Sequence, residues 1–173
     1  MSDNRDAPLI LTAKLPPELH RQFTDLRNEH FPPERNYLEA HVTLFHAIPP
    51  QCEAEACGYL SRLVTEVAPL PGSIEGLMPL GGGTAIKLAS ISLLNLRDEI
   101  ADHFHGMLTA QDQHRPRLHV TIQNKVTSKE AKALQAKLGG TIAQQAFSFP
   151  GLSLHRYRGG PWEFVRDFVF RGK

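Results

Sequence analysis

The chain has 173 residues, which is the usual size of one domain or of two small lobes that share a core. Nineteen basic residues against eighteen acidic ones leave a net charge of +1, which excludes a strong overall attraction to nucleic acid, so any RNA contact must be local. The 41% hydrophobic content is typical of a soluble globular protein, and no apolar run approaches the roughly 20 residues of a membrane span.

The cysteines and the amino terminus indicate the cellular compartment. Cys52 and Cys57 match neither a disulfide framework nor a zinc site, so we expect free thiols, the usual state in a reducing cytosol. The polar residues 1–8 are not followed by the apolar stretch of a secretory signal. We therefore expect a cytoplasmic protein that does not contact membranes.

The first half of the chain predicts an alternation of strands and helices. Two prolines at positions 16 and 17 suit the first turn of a helix, and Leu19, Phe23 and Leu26 give that helix an apolar stripe. In chain order we expect a strand at residues 9–15, this helix, a strand at 41–48, a helix at 53–67, and a hairpin of strands 73–80 and 84–89 turned by three glycines.

The second half predicts a similar series of elements. A long apolar stripe indicates a helix over residues 93–110, and a strand follows at 118–126. A capping box that begins at Thr127 starts the next helix, and two glycines end it near residue 140. A final hairpin is expected to join residues 147–157 to residues 162–170 through a glycine turn.

Two short segments in these series are near copies of each other. Ala40-His41-Val42-Thr43-Leu44 in the first half corresponds to Leu118-His119-Val120-Thr121-Ile122 in the second. The hairpins also align, because Gly76-Leu77 matches Gly151-Leu152 and the turn glycines Gly82-Gly83 match Gly159-Gly160. The sequence therefore predicts one domain over residues 1–173 that contains two copies of an α+β unit, roughly residues 16–91 and 92–173.

Strand alternation places the histidine and the threonine of each motif on one face of its strand. His41 and Thr43 share a face in the first motif, and His119 and Thr121 share one in the second, which Lys125 continues. The aliphatic residues between them point the other way, toward a core. A polar face of this kind on each strand predicts a cleft between the two motifs.

Two imidazoles across a cleft suit the cleavage of a phosphodiester. One ring must be neutral to take a proton from the attacking water or hydroxyl, and the other must be protonated to give one to the departing oxygen. Histidine can hold either form near neutral pH, since its reference pKa is about 6.5. The two threonine hydroxyls can donate to non-bridging phosphate oxygens, so this reaction requires neither a metal nor a cofactor. The likeness of the two half-sites leaves open which histidine is the acid.

Three other interpretations of the paired motif are open. The motif strands can be duplicated core strands whose histidines make only structural hydrogen bonds. The groove can instead belong to a nucleotide- or RNA-binding module with little or no turnover, or to a metal-dependent hydrolase. Because a single His-x-Thr arises easily by chance among nine histidines, the second copy in a matching position is what favours an acid–base pair.

The two motifs resemble those that define the 2H phosphoesterase superfamily, a histidine followed by any residue, then threonine or serine, then a hydrophobic residue. Here they are His41-Val42-Thr43-Leu44 and His119-Val120-Thr121-Ile122, and nearly the whole chain resembles the bacterial 2′-5′ RNA ligase-like branch. The resemblance implies a bilobal α+β fold with pseudo-two-fold symmetry. It also implies antiparallel sheets flanked by helices, with a central active-site groove between the lobes.

The same resemblance implies an activity on 2′,3′-cyclic phosphates and 2′-5′ linkages, by hydrolysis or by the reverse, ATP-independent joining. We therefore expect a metal-independent phosphodiesterase, with His41, Thr43, His119 and Thr121 as catalytic residues. Its substrates are expected to be RNA ends or small cyclic nucleotides. We expect it to act as a monomer without a cofactor.

Several residues near the motifs are candidates for substrate binding. Arg115, Arg117 and Lys125 flank the second motif, where each is either a phosphate contact or a solvated loop charge. Phe45 continues the polar face of the first motif, where its ring can stack on a base or ribose, whereas His46 falls on the core-directed face.

The last hairpin carries a further candidate cluster. His155, Arg156, Tyr157 and Arg158 are basic and aromatic, a combination that can stack on a nucleotide and clamp it. Exposed hairpins also carry such residues without a binding role. We take Arg156 and Tyr157 as the candidates from this cluster.

Overall fold

The computed structural model describes residues 6–173, so the first five residues of the polar amino-terminal tail lie outside it. Helices and strands alternate along the chain largely as the sequence predicts. In chain order they are β1 (Leu9–Ala13), α1 (Pro17–His30), β2 (Val42–Ile48), α2 (Glu53–Leu63), β3 (Leu70–Pro79), β4 (Thr84–Ala89), α3 (Ile91–His103), β5 (His119–Gln123), α4 (Ser128–Leu138), β6 (Gln145–Phe149), β7 (Gly151–Tyr157) and β8 (Trp162–Val169).

The strands form two antiparallel sheets of four. The first sheet has the order β2-β1-β7-β8 and the second has the order β5-β4-β3-β6. Each motif strand, β2 or β5, is therefore an edge strand with one neighbour in its sheet. Both sheets and all four helices contribute side chains to one continuous apolar core. This is the expected α+β architecture of antiparallel sheets flanked by helices.

Each sheet takes strands from both of the predicted repeat units. The first sheet joins β1 and β2 to β7 and β8, and the second joins β3 and β4 to β5 and β6. The two sheet orders correspond position by position, so β3 and β7 are equivalent. Gly76-Leu77 and Gly151-Leu152 occupy equivalent positions in the two sheets as well as in the sequence. Leu77 pairs with Ile86 of β4, and Leu152 pairs with Ala13 of β1, the strand that corresponds to β4.

The glycine turns Gly82-Gly83 and Gly159-Gly160 match in sequence, but they do not connect equivalent strands in the structure. The turn after β3 leads to β4 on the inner side of its sheet, whereas the turn after β7 leads to β8 on the outer edge. The equivalent of β4 is β1, at the start of the chain. The similar turns therefore connect strands that are not equivalent, because a glycine turn permits either direction of return.

Two of the predicted elements differ clearly from the structure, beyond shifts of a few residues at the ends of others. The helix expected over residues 93–110 ends at His103, and Gly106 in the turn that follows has a φ of 85°, which a helix does not allow. The single strand expected over residues 147–157 is two strands, because Pro150 has no N–H for a ladder and marks the crossing from the second sheet to the first.

The helix starts follow simple capping chemistry. Thr127 and Glu130 form the predicted capping box before α4, and proline occupies the first turn of α1. Ser90 caps α3 by accepting a hydrogen bond from the Leu93 N–H at 3.1 Å. Over residues 6–173, no helix combines the length and the apolar character that a bilayer crossing requires.

Candidate active site

The two motif strands lie beside each other where the two sheets meet. Their polar faces line one cavity of about 440 Å³, here called the central cavity, and its lining includes His41, Thr43, His119 and Thr121. Around these four residues the cavity is also lined by Met78, Leu80, Arg97, Arg117 and Trp162. The structure thus brings the four residues predicted to be catalytic into one space.

Each motif histidine is oriented by the backbone two residues before it. Nδ1 of His41 lies 2.8 Å from the carbonyl oxygen of Glu39, and Nδ1 of His119 lies 2.5 Å from that of Arg117. Because a carbonyl only accepts, Nδ1 carries the hydrogen in both rings, and Nε2 is the nitrogen available to a ligand. The pseudo-two-fold relation therefore extends to the orientation of the two side chains.

The surroundings of His41 make it a neutral imidazole at neutral pH. Its ring packs against Trp162, with 4.5 Å between the ring centroids. Burial lowers the pKa of His41 to about 4, against the opposing effect of its hydrogen bond to Glu39, and the positive charge of Arg27 lowers it further. At pH 7 a ring with this pKa carries a hydrogen on Nδ1 alone, so its Nε2 is free to accept a proton.

A second cavity, here called the side cavity, adjoins His41 and has a volume of about 580 Å³. His41 and Trp162 line both cavities, so the two spaces meet at this pair of rings. The side cavity is also lined by Thr12, Lys14, Tyr37, Ser153, His155, Phe164 and Asp167. This cavity was not predicted from the sequence, although the alternation of Trp162 and Phe164 along one strand was a signal for it.

Two buried arginines hold the motif strands from the helices. Arg27 of α1 donates to the carbonyl of Thr121 in β5 at 3.0 Å, and Arg97 of α3 donates to the carbonyl of Leu44 in β2 at 3.2 Å. Each helix precedes one motif strand in the chain and reaches the other one. Each guanidinium also lies 4.1 Å from an aromatic ring, Arg27 over Phe31 and Arg97 over Phe45.

The prediction that Phe45 stacks on a ligand is wrong. In the pairing of β1 with β2, Thr12 lies opposite Thr43 and Leu11 lies opposite Phe45, so Leu44 is an extra residue in a β-bulge. Beyond the bulge the faces of β2 exchange. Phe45 is fully buried beneath Arg97, and His46, which was expected to face the core, is exposed.

Asp112 supports the same end of β2 and was not found from the sequence. Its buried carboxylate accepts hydrogen bonds from the backbone N–H of His46 at 2.8 Å and of Ala47 at 2.8 Å, and Nδ1 of His46 lies 3.3 Å away. Burial raises the pKa of Asp112, but these hydrogen bonds outweigh it, so the pKa lies below its usual value. The loop before β5 thereby fastens the motif strand β2.

The basic candidates near the second motif occupy different places. Arg117 is exposed and lines the central cavity. Arg115 also lines it, but its guanidinium is held by Asp98 at 2.6 Å. Lys125 does not continue the polar face of β5, because the strand ends at Gln123 and Lys125 has a φ of 61°. Lys125 lines neither cavity.

The candidates on the last hairpin are also corrected. Arg156 donates to both carboxylate oxygens of Glu53 at 2.7 Å and to Glu163, so it fastens α2 to the first sheet. Arg156 and the exposed Tyr157 line neither cavity. Strand alternation brings His155 into the side cavity instead. Arg156 and Tyr157 are therefore not placed to clamp a nucleotide in either cavity.

No cluster of three or more histidine, cysteine, aspartate or glutamate side chains with the spacing of a metal site occurs among residues 6–173. Cys52 and Cys57 are free thiols in the structure. Burial raises the pKa of both thiols, which makes the thiolate less accessible. Neither cysteine lines the central or the side cavity.

Comparison with solved structures finds the same fold in two proteins, each of which aligns with this chain over nearly its whole length. TT0787 of Thermus thermophilus is 16% identical, with 96% of this chain and 99% of that chain covered and a TM-score of 0.63. E. coli LigT complexed with NADP+ is also 16% identical, with coverages of 95% and 98% and a TM-score of 0.56. LigT complexed with 3′-AMP is 17% identical, with the same coverages and a TM-score of 0.53.

The sequence itself matches a family model. No curated protein matches the chain. The model of the 2′-5′ RNA ligase superfamily matches residues 15–161, a range that contains both motifs and both cavities' histidines. Since this range covers most of the chain, the protein belongs to the 2′-5′ RNA ligase superfamily.

Proposed function

We propose that the protein is a metal-independent phosphodiesterase that opens 2′,3′-cyclic phosphates on RNA ends or small nucleotides. The observation that carries this proposal is the matched pair of histidines, each with Nδ1 on a backbone carbonyl and Nε2 available to one shared cavity. Membership of the 2′-5′ RNA ligase superfamily supports a phosphoesterase-type activity. The 3′-AMP complex of LigT, which has the same fold, supports a nucleotide ligand.

In this proposal His41 is the general base. Its lowered pKa leaves Nε2 unprotonated at pH 7, so it can take a proton from an attacking water. The water oxygen forms a bond to phosphorus as the bond from phosphorus to the ribose 3′-oxygen breaks. His119 gives the proton from its Nε2 to that departing oxygen, which leaves a 2′-phosphate and a 3′-hydroxyl. The two rings then recover their starting forms by exchange of one proton with solvent.

The rest of the central cavity supplies charge stabilisation. The hydroxyls of Thr43 and Thr121 lie on the same strand faces as the histidines and can donate to the non-bridging phosphate oxygens. Arg117, exposed at the cavity, adds a positive charge. Arg27 and Arg97 stabilise the two threonine-bearing strands through their carbonyls. With a 5′-hydroxyl in place of the water, the same ring opening breaks the bond from phosphorus to the 3′-oxygen and joins that hydroxyl to the phosphate as a 2′-5′ bond. The reverse of this step cleaves a 2′-5′ bond and re-forms the cyclic phosphate.

Substitution of each histidine tests this proposal. His41→Ala and His119→Ala are each expected to lower kcat/KM for a 2′,3′-cyclic nucleotide by about 10²-fold or more, the usual contribution of a general acid or base. His105→Ala is the matched control, because His105 is exposed beyond the end of α3 and lines neither cavity. Assays in excess EDTA are expected to show the same rates as assays without it.

Three results would contradict the proposal. Near-normal turnover by a folded His41→Ala or His119→Ala variant would remove the acid–base pair. Nucleotide binding by the wild type without turnover of cyclic phosphates, 2′-5′ dinucleotides or cyclic-phosphate-ended RNA would indicate a binding module. Loss of turnover in EDTA would indicate a metal-dependent hydrolase.

A further inference from the structure

A row of polar side chains crosses the first sheet from the motif residue Thr43. Thr43 lies opposite Thr12, Thr12 lies opposite Ser153, and Ser153 lies opposite Asp167. Directly opposite residues point to the same face of a sheet, so this row continues from the central cavity across the floor of the side cavity. With strands about 4.8 Å apart, Asp167 lies roughly 14 Å across the sheet from Thr43.

The far end of this row presents hydrogen-bond acceptors beside a donor. Ser153 Oγ donates to Asp167 Oδ1 at 2.8 Å, and Lys14 Nζ lies 2.6 Å from Asp167 Oδ2. Ser153 is buried, whereas the side chains of Lys14 and Asp167 are 35% and 38% exposed. A carboxylate has about four acceptor positions and an ammonium has three hydrogens, so both groups can bind a ligand while keeping these contacts.

Aromatic rings lie on the same face as Asp167. A β-bulge at Val165 puts Trp162 and Phe164 on the side of β8 that Asp167 occupies, since His155 pairs with Phe164 and Leu154 pairs with Arg166. Phe164 is 58% exposed. Tyr37, which is 59% exposed, lines the same cavity from the loop before β2. Exposed rings around a polar floor suit a flat, hydrogen-bonding ring such as a nucleobase.

The equivalent row of the second sheet has none of this chemistry. There Thr121 lies opposite Ala85, and Ala85 lies opposite Met78. The fold therefore does not require polar residues at these positions, because its other half places alanine and methionine there. Because the two rows differ, the polar floor of the side cavity is found on one side of the histidine pair and has no counterpart in the equivalent row of the second sheet.

We propose that the side cavity binds a nucleoside joined to the phosphate in the central cavity, and that Asp167 and Lys14 select guanine as its base. Guanine presents a carbonyl oxygen next to two N–H groups along one edge. Lys14 donates to that oxygen, and Asp167 accepts from the ring N–H and the exocyclic amino group. Hypoxanthine lacks the amino group, and adenine lacks both the oxygen and the ring N–H. Only the position of the phosphate in this inference rests on the proposed function.

A kinetic test uses 2′-5′-linked dinucleotides that keep adenine on one side and carry guanine or hypoxanthine on the other, in both orders. We expect the wild type to cleave the guanine substrate with a kcat/KM about tenfold or more higher in one of the two orders, the size of one hydrogen bond to a charged group. In Asp167→Asn, whose amide no longer offers two acceptor oxygens, the ratio is expected to fall to about one.

Asp25→Asn is the matched control, since Asp25 is an exposed acid of α1 that lines neither cavity, and it is expected to keep the wild-type ratio. Lys14→Gln is a second variant that keeps the inference testable if Asp167→Asn does not fold. Because Lys14 faces the guanine oxygen, which adenine lacks, Lys14→Gln is expected to reduce the preference for guanine over adenine. A wild type that cleaves guanine and hypoxanthine substrates equally in both orders would overturn the inference.

A binding test separates this inference from the proposed reaction. Trp162 is the chain's single tryptophan and lines both cavities, so its fluorescence reports ligand binding there. Titration with guanosine and inosine monophosphates is expected to show about tenfold tighter binding of the guanine nucleotide in the wild type and not in Asp167→Asn. Selective binding without turnover would overturn the proposed function alone. Equal binding of both nucleotides would overturn guanine selection alone.

Discussion

The two motif histidines donate Nδ1–H to the same backbone position, and the ring of His41 also packs against Trp162 and has its pKa lowered by burial and by the charge of Arg27. Sequence symmetry leaves the acid and the base unassigned, because the two motifs are nearly identical. The lowered pKa of His41 depends on its burial and on residues outside the motifs, with Trp162 of β8 packed against the ring and Arg27 of α1 adding its charge. A ring whose pKa is about 4 is neutral at pH 7, which is the form that the proposed reaction requires of its base, and the proposal therefore gives the role of acid to His119.

The pH dependence of the reaction tests this assignment. A general base must be neutral, so kcat/KM is expected to fall as the pH drops through the pKa of His41, about 4 in the wild type. Removal of the positive charge in Arg27→Met raises that pKa, so the fall is expected at higher pH. The same variant loses the hydrogen bond to the Thr121 carbonyl, and we expect its free energy of unfolding to drop by about 1–3 kcal/mol.

Arg97→Met is the matched control for this experiment. Arg97 is buried like Arg27 and also donates to a motif strand, but it is not among the charges that shift the pKa of His41. Its variant is expected to be destabilised in urea without a shift of the acid limb of the pH profile. An acid limb that moves equally in both variants, or in neither, would contradict the role of Arg27 at His41.

At the scale of single elements, two β-bulges determine which side chains reach the site. The bulge at Leu44 turns Phe45 inward and His46 outward, and the bulge at Val165 puts Asp167 on the face of Phe164. Strict alternation identified His41 and Thr43 because they precede the first bulge, and it failed at Phe45 because that residue follows it. Two adjacent apolar residues, Leu44 and Phe45, were the available sign of the interruption.

The features of the fold that depend on neighbouring residues in the chain were predicted correctly from the sequence. The capping box of α4 and the glycine turn between β3 and β4 lie where the sequence placed them, because both depend on neighbouring residues. The crossing at Pro150 and the buried contacts of Arg27 were not predicted, because they depend on which sheet or strand a segment meets in space. The side cavity was missed for the same reason, since β1, β7 and β8 build it together.

The fastening of β2 by Asp112 leads to a stability prediction. Asp112→Ala leaves the partly buried N–H groups of His46 and Ala47 without their acceptor, and we expect the free energy of unfolding to fall by about 1–3 kcal/mol. Asp98→Ala is the control, since Asp98 is in a solvent-exposed ion pair with Arg115, and its removal is expected to change the free energy of unfolding little. Urea unfolding measures both.

The sign of the pH dependence follows from the pKa of Asp112. This pKa is lowered in the folded protein, so the stabilisation is complete above the usual value of 3.8 and is lost as the pH falls through the lowered value. The difference between the wild type and Asp112→Ala is therefore expected to narrow below pH 3.8. Equal stability of the two proteins at pH 7 would contradict the fastening role.

At the scale of the whole molecule, the two repeat units are interleaved. Each sheet needs strands from both units, and each buried arginine reaches from one motif's helix to the other motif's strand. The central cavity forms where the edge strands β2 and β5 meet, so neither unit contains a complete site. Because the two units share their sheets, both must fold together before the two histidines of the proposed reaction come into one cavity.

This arrangement predicts that neither half folds alone. A fragment of residues 1–89 keeps β1 to β4, but its first sheet lacks β7 and β8 and its second lacks β5 and β6, so two of the three strand pairings in each sheet are missing. Fragments 1–89 and 90–173 are each expected to show no cooperative transition in urea by circular dichroism. The intact chain is expected to show one transition, in which circular dichroism and Trp162 fluorescence coincide. A cooperative transition in either isolated fragment would show instead that the repeat units at residues 16–91 and 92–173 are independent lobes.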